Sequence, residues 1–125
     1  MKPRKVLVVD DSKLLHRMFE MMLRQFPLVH AYDGHEALER LAEHKDVDLV
    51  LLDMNMPRMN GLEFLAAVKA NAETARIPVV IITTEGTEAD TQRGMDAGAA
   101  AYLKKPFRND ELMAVITRLT ESPAA

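Results

Sequence analysis

Asp10, Asp11, Asp53, Thr83 and Lys105 are the residues of this 125-residue chain whose types and positions could do joint chemistry. Each closes or follows a short apolar run. Val6-Leu7-Val8-Val9 leads to Asp10-Asp11, Leu49-Val50-Leu51-Leu52 to Asp53, Val79-Val80-Ile81-Ile82 to Thr83, and Tyr102-Leu103-Lys104 to Lys105-Pro106. Three carboxylates, a hydroxyl and an ammonium suit a hard divalent cation and a phosphoryl group. An all-oxygen acidic set favours magnesium, or manganese, over zinc. Asp53 is the candidate nucleophile, because a carboxylate can accept a phosphoryl group as an aspartyl-phosphate. That transfer asks for positioning and charge neutralisation more than for proton chemistry. Lys105 would pair with one phosphoryl oxygen, and Pro106 holds it toward an extended backbone. The Thr83 hydroxyl would donate to another oxygen, with Thr84 an equal rival on composition. An Asp-Asp pair alone reads as a turn or helix cap; Asp53 at the end of a second apolar run reverses that balance. Without a cation, the three acids would repel and raise at least one carboxylate pKa.

Ligands of an open parallel sheet bind at the carboxyl ends of its strands, so these residues meet if the apolar runs are parallel strands. The chain alternates such runs with longer amphipathic stretches, the pattern of an α/β fold. Runs apolar at every position suit strands covered on both faces. Ser12 caps a predicted helix carrying Leu15, Met18, Met22 and Phe26, which Pro27 stops. Leu28–Tyr32 is a weaker strand nearer an edge, and Asp33-Gly34 a turn. A helix over His35–Glu43 puts Ala37, Leu38 and Leu41 inward, and Asp48–Leu52 is the third strand. Asn60-Gly61 opens a helix through Lys69, and Pro78 precedes the fourth strand. The helix expected over 88–97 has Met95 as its only large apolar anchor, is interrupted by Gly94 and is capped by Gly98. Ala99–Leu103 is the last strand. Asn109 or Asp110 caps a final helix bearing Leu112, Val115, Ile116 and Leu119, and 121–125 is a loose tail. The expectation is one domain over 1–125 with five strands and five helices.

Composition narrows the function classes. The length suffices for one core without staples. A formal charge of −3 gives no electrostatic case for nucleic acid or an anionic membrane. The chain has no cysteine, hence no disulfide framework or thiolate nucleophile. No apolar stretch reaches the roughly 18–20 residues of a membrane helix, and no signal peptide is visible. A cytoplasmic setting is expected. The nine methionines, among them Met18, Met21, Met22 and Met54, read as adaptable packing. His16, His30, His35 and His44 are scattered and receive no catalytic role.

Taken in order and with their spacing, Val9-Asp10-Asp11-Ser12, Asp53-Met54-Asn55-Met56-Pro57-Arg58-Met59-Asn60-Gly61, Thr83-Thr84-Glu85 and Tyr102-Leu103-Lys104-Lys105-Pro106-Phe107 resemble the receiver domains of two-component response regulators. The resemblance runs from Val6 to Leu119. It implies a flavodoxin-like, doubly wound, five-stranded parallel sheet of order 2-1-3-4-5, an arrangement for which the chemotaxis regulator is a standing example. It also implies that Asp53 is the phospho-acceptor, that Asp10 and Asp11 hold Mg2+ with it, and that Asn55 adds its backbone carbonyl. Thr83 is selected over Thr84 as the partner of Lys105 in reading the phosphate. Tyr102 would turn inward when Thr83 is drawn to the phosphoryl group. Asn55 and Glu85 would tune the phosphoryl lifetime, and both being polar implies a short one. The departure from the pattern is the short connection at Pro27, which puts the edge of the sheet in doubt rather than the site.

The implied role is a stand-alone regulator of chemotaxis or motility. It would take its phosphoryl group from a histidine kinase or phosphotransfer protein and catalyse only its own phosphorylation and dephosphorylation. Output would pass through a downstream protein bound at a face formed by 88–97, 101–104 and 109–119. A monomer is expected, with dimerisation on phosphorylation as the variant. A receiver cut from a larger regulator or hybrid kinase is the alternative. An aspartate-nucleophile phosphatase is disfavoured, because such enzymes use Asp-x-Asp on one strand and a cap segment. No Gly-x-Gly-x-x-Gly or Gly-x-x-x-x-Gly-Lys supports a nucleotide-binding reading.

Overall fold

In the computed structural model, the described residues are 5–24, 26–53, 61–83, 88–105 and 107–121. Five strands, β1 (Val6–Val9), β2 (Leu28–Ala31), β3 (Leu49–Leu52), β4 (Val79–Thr83) and β5 (Ala101–Lys104), alternate with five helices. These are α1 (Lys13–Met22), α2 (Gly34–Glu43), α3 (Gly61–Ala70), α4 (Glu88–Asp96) and α5 (Asn109–Glu121). All strand pairs are parallel, in the order β2-β1-β3-β4-β5. The Pro27 connection leaves the edge intact: β2 pairs with β1 along its whole length, and the Pro27 carbonyl accepts from the Val6 amide at 2.9 Å.

The two-residue period of the strands divides the core into two layers. Leu7, Val9, Val50, Leu52, Val79 and Ile81 pack with Ala37, Leu41, Phe64, Leu65 and Val68 of α2 and α3. Val6, Val8, Leu49, Leu51, Val80 and Ile82 pack on the other face with Phe19, Leu23, Leu112 and Ile116 around α1 and α5. Burying such a side chain contributes about 1.5–3 kcal/mol, and both layers converge on the central strands β1, β3 and β4. The carboxyl ends of those strands are thereby held rigid.

Several elements differ from the sequence reading. α1 ends at Met22, not near Phe26, and its inward face is His16 and Phe19, followed by the buried Leu23. Met18 and Met21 are instead exposed. The spacing 16, 19, 23 is an equally good helical stripe, but polar His16 conceals it. α2 begins one residue early because Asp33 is its cap, accepting from the Glu36 amide at 2.8 Å. α5 is capped at Arg108, not Asn109 or Asp110: Glu111 reaches back to the Arg108 amide at 2.9 Å, half of a capping box. Glu121 closes α5 and so is not part of the tail; 122–125 lie outside the described residues.

Gly94 is a packing residue rather than an interruption. A Cβ there would lie 2.6 Å from Ile81 Cδ1 and 3.8 Å from the Tyr102 ring, so α4 rests on the sheet through its backbone. That close approach replaces the apolar anchors α4 lacks; Met95 points largely to solvent. Gly98, at φ 108°, ends the helix in the left-handed conformation suited to glycine.

Candidate functional site

β1 and β3 are adjacent and in register, Val9 opposite Leu52, so the residues that follow them emerge side by side. The Asp53 amide donates to the Val9 carbonyl at 2.9 Å, which continues the ladder one step past β3. One carboxylate oxygen from each of Asp10, Asp11 and Asp53 lies within 4.8 Å of the others. Asp10 and Asp53 are buried while Asp11 is exposed, which makes a cleft open on one side. β5 delivers the counter-charge. Lys105 Nζ sits 3.2 Å from Asp10 Oδ2 and 3.8 Å from Asp53 Oδ1. The second oxygen of Asp10 accepts from the Ser12 amide at 2.8 Å, tying the acid to the start of α1. Ser12 in turn caps that helix, its hydroxyl accepting from the Leu15 amide at 3.3 Å.

One ammonium facing three carboxylates leaves the cleft negative, and the donor set is oxygen only. Such a set fits a hard divalent cation held by Asp10, Asp11 and Asp53. The Thr83 backbone closes β4 opposite Lys104, at the same end of the sheet. Its side chain, like Asn55, Glu85 and Pro106, lies outside the described residues. Tyr102 is half-buried against the α2/α3 layer, and Lys104 is exposed.

Residues 6–117 match the family model of the response regulator receiver domain. The chain belongs to the receiver family. It is 37% identical over 106 residues to the chemotaxis protein CheY1 of Helicobacter pylori, covering 82% of this chain and 86% of that protein. It is 39% identical over 114 residues to the transcriptional regulatory protein CpxR of Escherichia coli, covering 90% of this chain. The receiver spans about half, 47%, of the length of CpxR. Among solved structures it resembles chemotaxis protein CheY4 of Vibrio cholerae, with a TM-score of 0.86, 34% identity and coverage of 93% of this chain and 98% of that one. Among the described residues of this receiver, no helix is long and apolar enough to cross a membrane.

The histidines of this receiver are not all scattered. His16 is buried in α1, its Nε2 2.7 Å from the Asp10 carbonyl and its Nδ1 2.6 Å from Nδ1 of His30 in β2. The strand period explains the meeting. Val29 and Ala31 face the α2/α3 layer, so His30 between them turns toward α1. His30 Nε2 lies 3.5 Å from Glu20, and Tyr32 covers the His16 ring at a centroid distance of 4.3 Å.

Burial and the neighbouring His16 hold the His30 pKa below its ordinary 6.5, against the opposing pull of Glu20. Between the lowered value and 6.5 the unfolded chain binds more protons than the folded one, so stability rises with pH there. The parent should therefore lose more melting temperature than His30→Gln between about pH 7.5 and about pH 5.5. Parallel curves from thermal melts would exclude this assignment.

Proposed function

We propose that this receiver accepts a phosphoryl group on Asp53 from a phosphohistidine donor, with Mg2+ (or Mn2+) bound, and then changes its affinity for a downstream protein. The observation that carries it is the convergence of three acids within 4.8 Å with the Lys105 ammonium 3.8 Å from Asp53. A carboxylate oxygen of Asp53 attacks phosphorus, the P–N bond to the donor imidazole breaks, and the imidazole keeps that electron pair and takes a proton. Hydrolysis reverses the loading: water attacks phosphorus, the acyl-phosphate P–O bond breaks, and carboxylate and inorganic phosphate are released. A cation held by Asp10, Asp11, Asp53 and the Asn55 backbone carbonyl would offset the negative charge that collects in the cleft. Lys105 and Thr83 supply the remaining donors. Asn55 and Glu85 are assigned to lifetime tuning, their polar side chains admitting or orienting water.

Gly94 lets α4 sit directly on Ile81 and the Tyr102 ring, so movement of Tyr102 would be felt by α4. That supports an output face of 88–97, 101–104 and 109–119, which amide exchange on the phosphorylated protein would reveal. A ligand shifts such an equilibrium only through contacts that differ between the two states. The likeness to the chemotaxis proteins CheY1 and CheY4, each covered over most of its length, supports a single-domain regulator of chemotaxis or motility; to this reading we add a cytoplasmic, monomeric state. The greater length of CpxR supports the second reading, a receiver portion of a larger regulator.

Intact-mass measurement with a small acyl phosphate and Mg2+ tests the chemistry. The expected gain is about 80 Da, the mass of HPO3, prevented by excess EDTA and decaying once donor is removed. A gain that survives EDTA undiminished would exclude the metal role, and one that persists for many hours at neutral pH would exclude the short lifetime.

A further inference from the structure

We propose that His16 is a positioning residue for the acidic cluster. Its Nε2–H holds the peptide between Asp10 and Asp11 in the orientation that turns both carboxylates toward Asp53, while His30 keeps it in the tautomer that can do so. This rests on the phosphoryl-acceptor reading of the same cluster.

The hydrogens can be assigned from the partners. A carbonyl oxygen only accepts, so the 2.7 Å contact from His16 Nε2 to the Asp10 carbonyl requires hydrogen on Nε2. A neutral imidazole then has a lone pair on Nδ1. That nitrogen faces Nδ1 of His30 at 2.6 Å, where two lone pairs would repel, so His30 carries its hydrogen on Nδ1 and donates. His30 Nε2 then faces Glu20 at the longer distance of 3.5 Å, so the 2.6 Å contact with His16 sets the His30 tautomer rather than Glu20. A proton added to His30 Nε2 meets the carboxylate and leaves the other two hydrogen bonds unchanged. In both states of His30, His16 keeps its hydrogen on the Asp10 carbonyl.

Among the described residues, His16 is the partner of that carbonyl. The Asp10 amide continues the ladder to the Ala31 carbonyl at 3.1 Å, but the Asp10 carbonyl turns to α1. Because the peptide unit is planar, holding this oxygen restrains the plane joining the two acids, and so restricts the ψ of Asp10 and the φ of Asp11 on which their Cα–Cβ directions depend. Adjacent strand residues ordinarily point to opposite faces, so some device must hold Asp10 and Asp11 convergent. The Ser12 amide on Asp10 Oδ1 secures the side chain, and His16 secures the backbone. The imidazole itself is clamped between His30 and Tyr32, at ring distances of 4.8 and 4.3 Å.

Two measurements decide this. Long-range 1H–15N spectra of the parent at neutral pH should show His16 as the Nε2–H tautomer and His30 as Nδ1–H. Calorimetric Mg2+ titration of the parent, His16→Leu and His16→Gln should show affinity weakened about 10-fold or more in His16→Leu. His16→Gln keeps an N–H donor and should recover most of the loss. At saturating Mg2+ the phosphorylation rate of His16→Leu should return toward that of the parent. An Nδ1–H tautomer at His16 overturns the inference even where His16→Leu fails to fold. A parent that binds Mg2+ and is phosphorylated, matched in affinity by His16→Leu, overturns it alone. A parent that does neither overturns the underlying reading and this inference with it.

Discussion

Asp53→Asn should show no gain of HPO3 when treated with an acyl phosphate and Mg2+, while the parent is loaded. The substitution keeps the side-chain shape and removes the anionic oxygen that attacks phosphorus; an amide oxygen is a far weaker nucleophile. Fold should survive. Asp53 is buried with two further carboxylates within 4.8 Å, so losing its charge relieves repulsion. Lys105 retains its shorter partner, Asp10, at 3.2 Å. The melting temperature of the variant without metal should therefore equal or exceed that of the parent, a check that the lost phosphorylation is chemical rather than a failure to fold. Undiminished loading of Asp53→Asn would move the acceptor to another residue and sink the proposed role.

The strands were legible because β1, β3 and β4 are apolar at every position, which only a sheet covered on both faces explains. The convergence at their ends needed the strand order as well, which the family resemblance implied: once β1 and β3 are neighbours in a parallel sheet, Asp10 and Asp53 cannot be far apart. What the pattern concealed was helix phase. In α1 the stripe Leu15, Met18, Met22 and the stripe His16, Phe19, Leu23 compete, and hydropathy favours the first because a histidine counts as polar. Tertiary context buries the second, since His16 finds a carbonyl and a second imidazole inside the protein, while Leu15 and Met22 pack at the margin of the core and only Met18 of the first is exposed. Gly94 misled in the same way. Its helix propensity is poor, yet the contact of its backbone with Ile81 depends on having no Cβ. Both failures concern polar or small residues whose partners are distant in sequence, 14 residues away for His16 and His30. Local periodicity carries no record of such partners.

Asp10→Asn should separate metal binding from folding. Without metal, the variant loses two carboxylate repulsions and one ion pair. At an effective dielectric near 20, unit charges 4.8 Å apart interact by about 3.5 kcal/mol and at 3.2 Å by about 5 kcal/mol. The repulsion from exposed Asp11 is further weakened by solvent, so losses and gains nearly offset and the metal-free melting temperature should stay close to the parent's. The Ser12 amide keeps an acceptor if the Asn carbonyl oxygen occupies the Oδ1 position. Mg2+ behaves differently. Removing one anionic ligand should weaken binding about 10- to 100-fold, the equivalent of about 1.5–3 kcal/mol for a charged contact. Because a ligand stabilises by RT ln(1 + [L]/Kd), each tenfold loss of affinity removes about 1.4 kcal/mol of Mg2+-induced stability where the parent site is saturated. Thermal melts with and without Mg2+ read this directly: the parent's rise should be large and that of Asp10→Asn small or nil. An equal rise in both proteins would place the cation away from Asp10, and the peptide that His16 holds would then have no metal to serve.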